Sequence, residues 1–552
     1  MSVHITTDEM IPDVLRAHPE CREVLDRHGL QGCGGPLGPH ESIRFFAEAH
    51  GASLLDLMDE LNAVVALPRA AVVCAAPPGS PFPSGAKGGA ADTIYRPFFL
   101  GAVVVMLTAG CVWGAANLYR IGSRGDFFAV PLDWTLAHAH AQILGWVGLF
   151  VMGFAYQAFP RFRGARLQAP GLAHLSLGLM LAGIVASAVG QTYSHARSML
   201  ALGITGGALE VVAVTIFLAL IFRTMHGGDR STRETMVGAP FIMAALAAFW
   251  LQTALGPLLF HAVATAPDEF TMVPLLAGWM TAMRELQVFG FITMMIFGVS
   301  IRLLPAIFGL NAQAATEAER AAQTARSRRD ARIILGVFAL SIIADMAGWI
   351  GLFVYQLPGL LFLLRVSFIG LLVSAILVVS ALGIFGPARK PDRSLKLVRA
   401  AYVWLLVGLV MLNFMFPYSM FRGQAFSHAY LGAVRHALTV GFITLMIVGI
   451  SARVVPMLRG IDPRTLNGLW LPFVLINAGN VLRVGTQIAT DFTHSAYAIM
   501  GLSGFIEVVG LVIWAVELLA IMWRSPRLDE PPARPAGTLA PPSELPGMAT
   551  GR

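Results

Sequence analysis

Apolar residues in this chain come in long unbroken runs, not in the alternating or one-faced patterns of a water-exposed fold. Twelve runs approach or exceed the roughly 20 residues an α-helix needs to cross a hydrocarbon core. They lie near 97–119, 134–159, 170–193, 198–223, 239–262, 275–304, 332–355, 358–385, 400–420, 429–456, 468–489 and 496–523. Lys and Arg collect after the even-numbered runs: Arg161, Arg163 and Arg166, then Arg223, Arg230 and Arg233, Arg320 to Arg332, Arg389 to Arg399, and Arg459 with Arg464. Loops after odd-numbered runs hold few or none. An even count puts both termini on one side, and the positive-inside bias makes that side the cytoplasm.

The flanks are different material. Residues 1–66 are of mixed polarity, with helical periodicity in DEMIPDVLRAHP, ECREVLDRHGL, HESIRFFAEAHG and SLLDLMDELNAVV, and predict a small soluble helical domain. A Pro/Gly/Ala-rich linker follows over 67–95, and 524–552 reads as a disordered tail. The opening MSVHITTDEM has no basic stretch leading into an apolar core, so the first apolar span is expected to serve as the insertion signal.

The membrane segment, 96–523, repeats. GWVGLFVMGFAYQAFP (145–160), GFITMMIFGVSIRLLP (290–305) and GFITLMIVGISARVVP (441–456) fit one ungapped pattern on spans 2, 6 and 10. Four spans with loops separate each copy from the next, so the expected architecture is three four-helix units, about 96–223, 239–385 and 400–523. A second echo pairs GALEVVAVTIF (207–217) with GFIEVVGLVIW (504–514) and puts Glu210 and Glu507 at matching depths, while the span-8 counterpart near Leu371 has no acid.

Composition agrees: of 552 residues, 56% are apolar and 13% charged, against roughly 25% charged in a soluble domain. An ordinary soluble enzyme is excluded. The net charge of +7 is spread over short loops, which argues for membrane topology and against a nucleic-acid surface. Cys21, Cys33, Cys74 and Cys111 are too scattered for a disulfide framework or a thiolate cluster.

Five residues before each first repeat glycine stand His140, Glu285 and His436. Spans 2, 6 and 10 run inward. The 17 residues from His436 to Arg453 cover about 25 Å, so these groups belong in the outer leaflet, facing one another if the units surround a threefold axis. His138 points about 200° away from His140 around the helix and would serve a neighbouring site, and His428 lies about 12 Å nearer the surface. Ionisable groups in hydrocarbon are costly and mark a pathway or ligand site. Neutral imidazoles on facing helices suit iron or copper, including haem, with interhelical hydrogen bonding as the plainer alternative. His140, His436 and Glu285 are the candidate metal ligands, with His138 and His428 as further cofactor contacts. Glu210 and Glu507 are read as helix-packing or water-cavity groups, or as a proton route. Arg302 and Arg453 are matched interface anchors, Arg365 and Arg483 could pair with a carboxylate or a haem propionate, and His195, His261 and His494 are expected at helix ends or in loops.

Span 2, AHAHAQILGWVGLFVMGFAYQAFPRF, and span 10, RHALTVGFITLMIVGISARVVP, resemble the two signature helices of the NnrS family over roughly 95–523. The resemblance implies a bacterial inner-membrane protein of twelve spans, associated with haem (b-type expected) and copper and with nitric oxide metabolism or nitrosative stress. It carries over His138 and His140 from the first signature and His436 from the second. Three units of four spans also resemble the catalytic subunit of haem-copper oxidases and nitric oxide reductases, whose low-spin haem is held by histidines of spans 2 and 10. Their second metal needs histidines on spans 6 and 7; MRELQVFG and ARIILGVFALSIIADMAGWIGLFVY offer none. The N-terminal region is similar to a small domain found before iron–sulfur repair proteins of the ScdA type, with only Cys33 at its glycine turn.

Three functions stay open at this point. One is haem and copper binding with nitric oxide as ligand; the second is an electron-transferring oxidoreductase with a redox donor, acting on nitric oxide if it is an enzyme. The third is a transporter of metal, haem or anion using Glu210, Glu285 and Arg365. Lipid is the expected surrounding.

Overall fold

The computed structural model describes residues 4–30, 37–50, 52–66, 93–163, 165, 167–226, 237–310 and 317–524. The linker, the tail, Cys33 and Cys74 lie wholly or almost wholly outside them. Four short helices form the N-terminal region: α1 (Ile11–Ala17), α2 (Cys21–Arg27), α3 (Ile43–His50) and α4 (Leu54–Ala66). Spans 1 to 12 are α5 (Tyr95–Arg124), α6 (Leu132–Ala158), α7 (Pro170–Thr192), α8 (Arg197–His226), α9 (Ala239–Ala264), α10 (Glu269–Phe308), α11 (Ala322–Phe353), α12 (Pro358–Leu382), α13 (Leu395–Phe421), α14 (His428–Leu458), α15 (Trp470–Ala489) and α16 (Ala496–Trp523). The protein is an all-α polytopic membrane protein.

Eleven of these helices, among the described residues, are long and apolar enough to cross a membrane. The exception is α15, and the count of twelve apolar spans is corrected there. Its Asn480, Arg483 and Gln487 are buried and recur at helical spacing, so its polar face looks inward. A helix shielded by its neighbours on that side needs less apolar surface than one facing lipid all round.

Packing follows the repeat. In each unit the third and fourth helices form a close hairpin: α7 with α8, α11 with α12, α15 with α16. The fourth helix then packs on the first helix of the next unit, α8 on α9 and α12 on α13, and α16 returns to α5 to close the ring. The second helices line the centre: the apolar windows of α6, α10 and α14 are 72, 67 and 78% buried, against 39–50% for the other eight. With no hydrophobic force between helices in lipid, close backbone contact carries much of this packing. Gly190 and Gly203 place the α7 and α8 backbones in direct contact, and a methyl group at Gly183 would sit 2.7 Å from Glu210 Cγ.

The central helices share one local feature. Each turns π-helical at the same register, over Ala141–Gly148, Leu286–Thr293 and Ala437–Thr444. His140, Glu285 and His436 are the residues immediately before these stretches. Single π-turns interrupt the α ladder and recur at functional sites.

The N-terminal region packs on the opposite end of the bundle, where α3 meets the end of α10 and the turn Arg161–Arg163. His50 is buried there against Phe46, and burial together with the Arg161 and Arg302 guanidinium groups lowers its imidazole to about 3. Glu41 is buried facing Arg453, and its desolvation, only partly offset by that arginine, pushes the carboxyl up to about 8.

Candidate functional site

Three clefts between the units carry the chemistry, and each differs from the others. In the cleft between the third and first units, His138 of α6 and His436 of α14 lie within electrostatic reach of each other. His138 Nδ1 donates to the Gly110 carbonyl at 3.0 Å. Gly110 ends a π-helical stretch of α5 and has left helical torsions (φ −83°, ψ −110°). The ring lies against Gly114, where an added methyl would meet His138 Cε1 at 2.5 Å. His436 Nδ1 donates to its own helix at Gly432, 3.1 Å away. Neither Nε2 has a hydrogen-bond partner among the described residues, and both rings are only half-buried. A backbone bond at Nδ1 fixes tautomer and orientation and leaves the Nε2 lone pair as the donor, as in metal-ligating imidazoles.

Arg483 of α15 and Glu507 of α16 border the same cleft. Arg483 is within electrostatic reach of both imidazoles and of Glu507. It is 6% exposed, and its Nε and Nη1, like Glu507 Oε1, have no hydrogen-bond partner among the described residues. Glu507 leans on Gly479, where a methyl would sit 2.5 Å from its Cγ, as Glu210 leans on Gly183. The matching depths read from the sequence are matching packing positions.

His140 serves the cleft between the first and second units. Its Nε2 lies 2.8 Å from Glu210 Oε1, and that carboxylate is 1% exposed. A small cavity with room for about two waters is lined by His140, Gln191, Met280, Met283, Arg284 and Gln287. A chain of side chains runs along it: Arg284 Nη1 donates to Gln287 Oε1 at 2.7 Å, and Gln287 Nε2 donates to Gln252 Oε1 at 2.8 Å.

Glu285 belongs to the third cleft, where it faces Arg435 of α14 and Asp345 of α11. Asp345 is fully buried, with the Trp349 indole beside its carboxylate. Among the described residues, no group of three or more His, Cys, Asp or Glu side chains is gathered as a metal site. His140, Glu285 and His436 are therefore not one ligand set: each unit turns its copy of the position toward a different neighbour, so the expected facing trio is corrected to three separate environments.

The remaining candidates are spread out. His428 is exposed at the first residue of α14, edged by Phe128 and Phe426, far from the paired rings for a group eight residues up the helix. His195, His261 and His494 are exposed, as their loop and helix-end positions require. Arg302 stacks on Phe162, Arg453 pairs with Asp392 at 2.8 Å, and the exposed Arg365 lies over Phe416, away from any carboxylate the structure pairs with it. Sequence reasoning passed over Asp345, although a lone acid inside an apolar run is itself a signal. The supporting Gly110 and Gly114 give no signal in a chain with 56 glycines.

The family model described as NnrS protein matches residues 92–527 of the chain. No curated protein matches it.

Proposed function

The chain belongs to the NnrS family, and from that premise we propose that it is a haem-binding protein of the bacterial inner membrane, acting in nitric oxide metabolism or nitrosative-stress protection, with His138 and His436 as the imidazoles that would hold the haem. One observation carries this reading: two rings on facing central helices, each tied at Nδ1 to a backbone carbonyl and each with Nε2 unengaged. Neutral imidazole is a preferred ligand of iron, and facing helices of a bundle are a common frame for it. Bound haem would supply a one-electron centre in this cleft. The chain's own residues hold each ring in one tautomer through its backbone bond at Nδ1. The clustered Lys and Arg residues support a cytoplasmic N-terminal region and, with it, imidazoles in the outer leaflet.

With both imidazoles as ligands, a bound haem would supply one-electron transfer, which supports the electron-transferring reading. Copper suits a different place. The imidazole of His140 shares a cavity with the thioethers of Met280 and Met283, and such soft donors select the cuprous ion. A transporter role has less to stand on, because the charged groups sit in three separate clefts instead of along one path.

The test is optical. The purified full chain should show the spectrum of a six-coordinate low-spin haem, and H138A and H436A should each lose it. A protein isolated without haem that also fails to take it up would end the reading.

A further inference from the structure

Of the arginines near the imidazoles, two are already engaged: Arg284 donates to Gln287 and Arg435 faces Glu285. Arg483 differs. It is buried, it is in reach of both rings, and two of its nitrogens have no acceptor among the described residues. A guanidinium taken out of water without hydrogen-bond partners is costly to keep, and a ligand that accepts from it offsets that cost. Glu507 is the nearest acid, yet no ion pair within 4 Å joins them among the described residues, and its Oε1 is also unbonded. The pair is held apart, with the donors of Arg483 left for something else.

Position indicates what that is. Arg483 lies six residues, about 9 Å, from the end of α15 that shares its side of the bundle with the start of α14, and His436 lies eight residues, about 12 Å, below that start. The guanidinium thus stands level with the imidazoles or slightly beyond them toward the surface. A porphyrin carries both of its carboxylate arms on one edge, and a guanidinium with unpartnered donors in reach of both imidazoles would receive one of them. We propose that Arg483 receives a carboxylate arm of the porphyrin held by His138 and His436, through a charge-assisted hydrogen bond from Nε or Nη1. The proposal rests on the haem reading above and adds to it the polarity of the bound ligand.

The experiment is a titration of haem-depleted full-length protein with haemin and with haemin dimethyl ester, followed by the low-spin spectrum. Wild type should bind the free acid 10-fold to 100-fold more tightly than the ester, the range that a buried charge-assisted bond implies. R483M should bind the two equally, at the affinity wild type shows for the ester, and R483K should recover part of the preference. The ester serves as the folding control, since a collapsed R483M would bind neither compound. Equal binding of acid and ester by wild type, or a preference that survives in R483M, overturns the assignment while leaving the axial histidines standing. Failure of wild type to bind either compound overturns both.

Discussion

His138 and His140 sit two residues apart on one helix and belong to different clefts: His138 Nδ1 bonds the Gly110 carbonyl at 3.0 Å, while His140 Nε2 bonds Glu210 Oε1 at 2.8 Å. The helical rotation of about 200° between them makes this division. One ring keeps a free Nε2 and the other has spent its own.

That division gives the first prediction. H138A and H436A should abolish the low-spin haem spectrum, and imidazole added to either variant should restore it in part. H140A should leave the spectrum unchanged. The spectra of the three variants, purified side by side, check this, and a lost spectrum in H140A alone would reverse the assignment.

Glu210 carries the second. Removing its carboxylate strands the His140 ring, so E210A should lower stability by about 1–2 kcal/mol, the upper range for a polar contact inside a helical membrane protein. E210Q keeps an acceptor and should cost less than half as much. Denaturant titration in detergent measures both.

Gly114 gives the third. A methyl there would lie 2.5 Å from His138 Cε1, so G114A should displace the ring and weaken haem binding at least 10-fold with little loss of fold. Gly178, in α7, has nothing within 4 Å of an added methyl. G178A should be neutral or slightly stabilising, since Ala is favoured over Gly in a helix by about 1 kcal/mol. Haem titration and thermal melts of the two variants provide the comparison.

The docked N-terminal region should respond to pH from both sides. His50 is lowered from 6.5 to about 3, so the released region takes up a proton that the docked one refuses, and docking weakens as pH falls from 6.5 toward 3. Glu41 is raised from 4.5 to about 8, so the released carboxyl ionises first and docking weakens as pH rises from 4.5 to 8. Between 4.5 and 6.5 the two slopes oppose and roughly cancel, and docking should be firmest there. Hydrogen exchange of α3 across this range measures it. E41Q should flatten the alkaline limb and H50F the acid limb.

The sequence alone determined the medium and the architecture. Runs of about 20 apolar residues can satisfy their backbone groups in lipid only as helices, and a pattern repeated on spans 2, 6 and 10 requires equivalent places for them. It also marked His138, His140, Glu210, Glu285, His436 and Glu507, because ionisable residues in apolar runs are conspicuous. Even α15, the least apolar span, was legible in length, although its inward polar face lowered its apolarity. Tertiary structure decided which of these groups meet. Equivalent positions on a ring of similar units do not face equivalent neighbours, because what each one touches depends on residues far away in the chain: Glu210 beside His140, Arg435 beside Glu285, and Gly110 with Gly114 behind His138. Spacing along one helix fixes direction within that helix, but the partner across the cleft, and with it the chemistry, is set only when the ring of twelve helices closes.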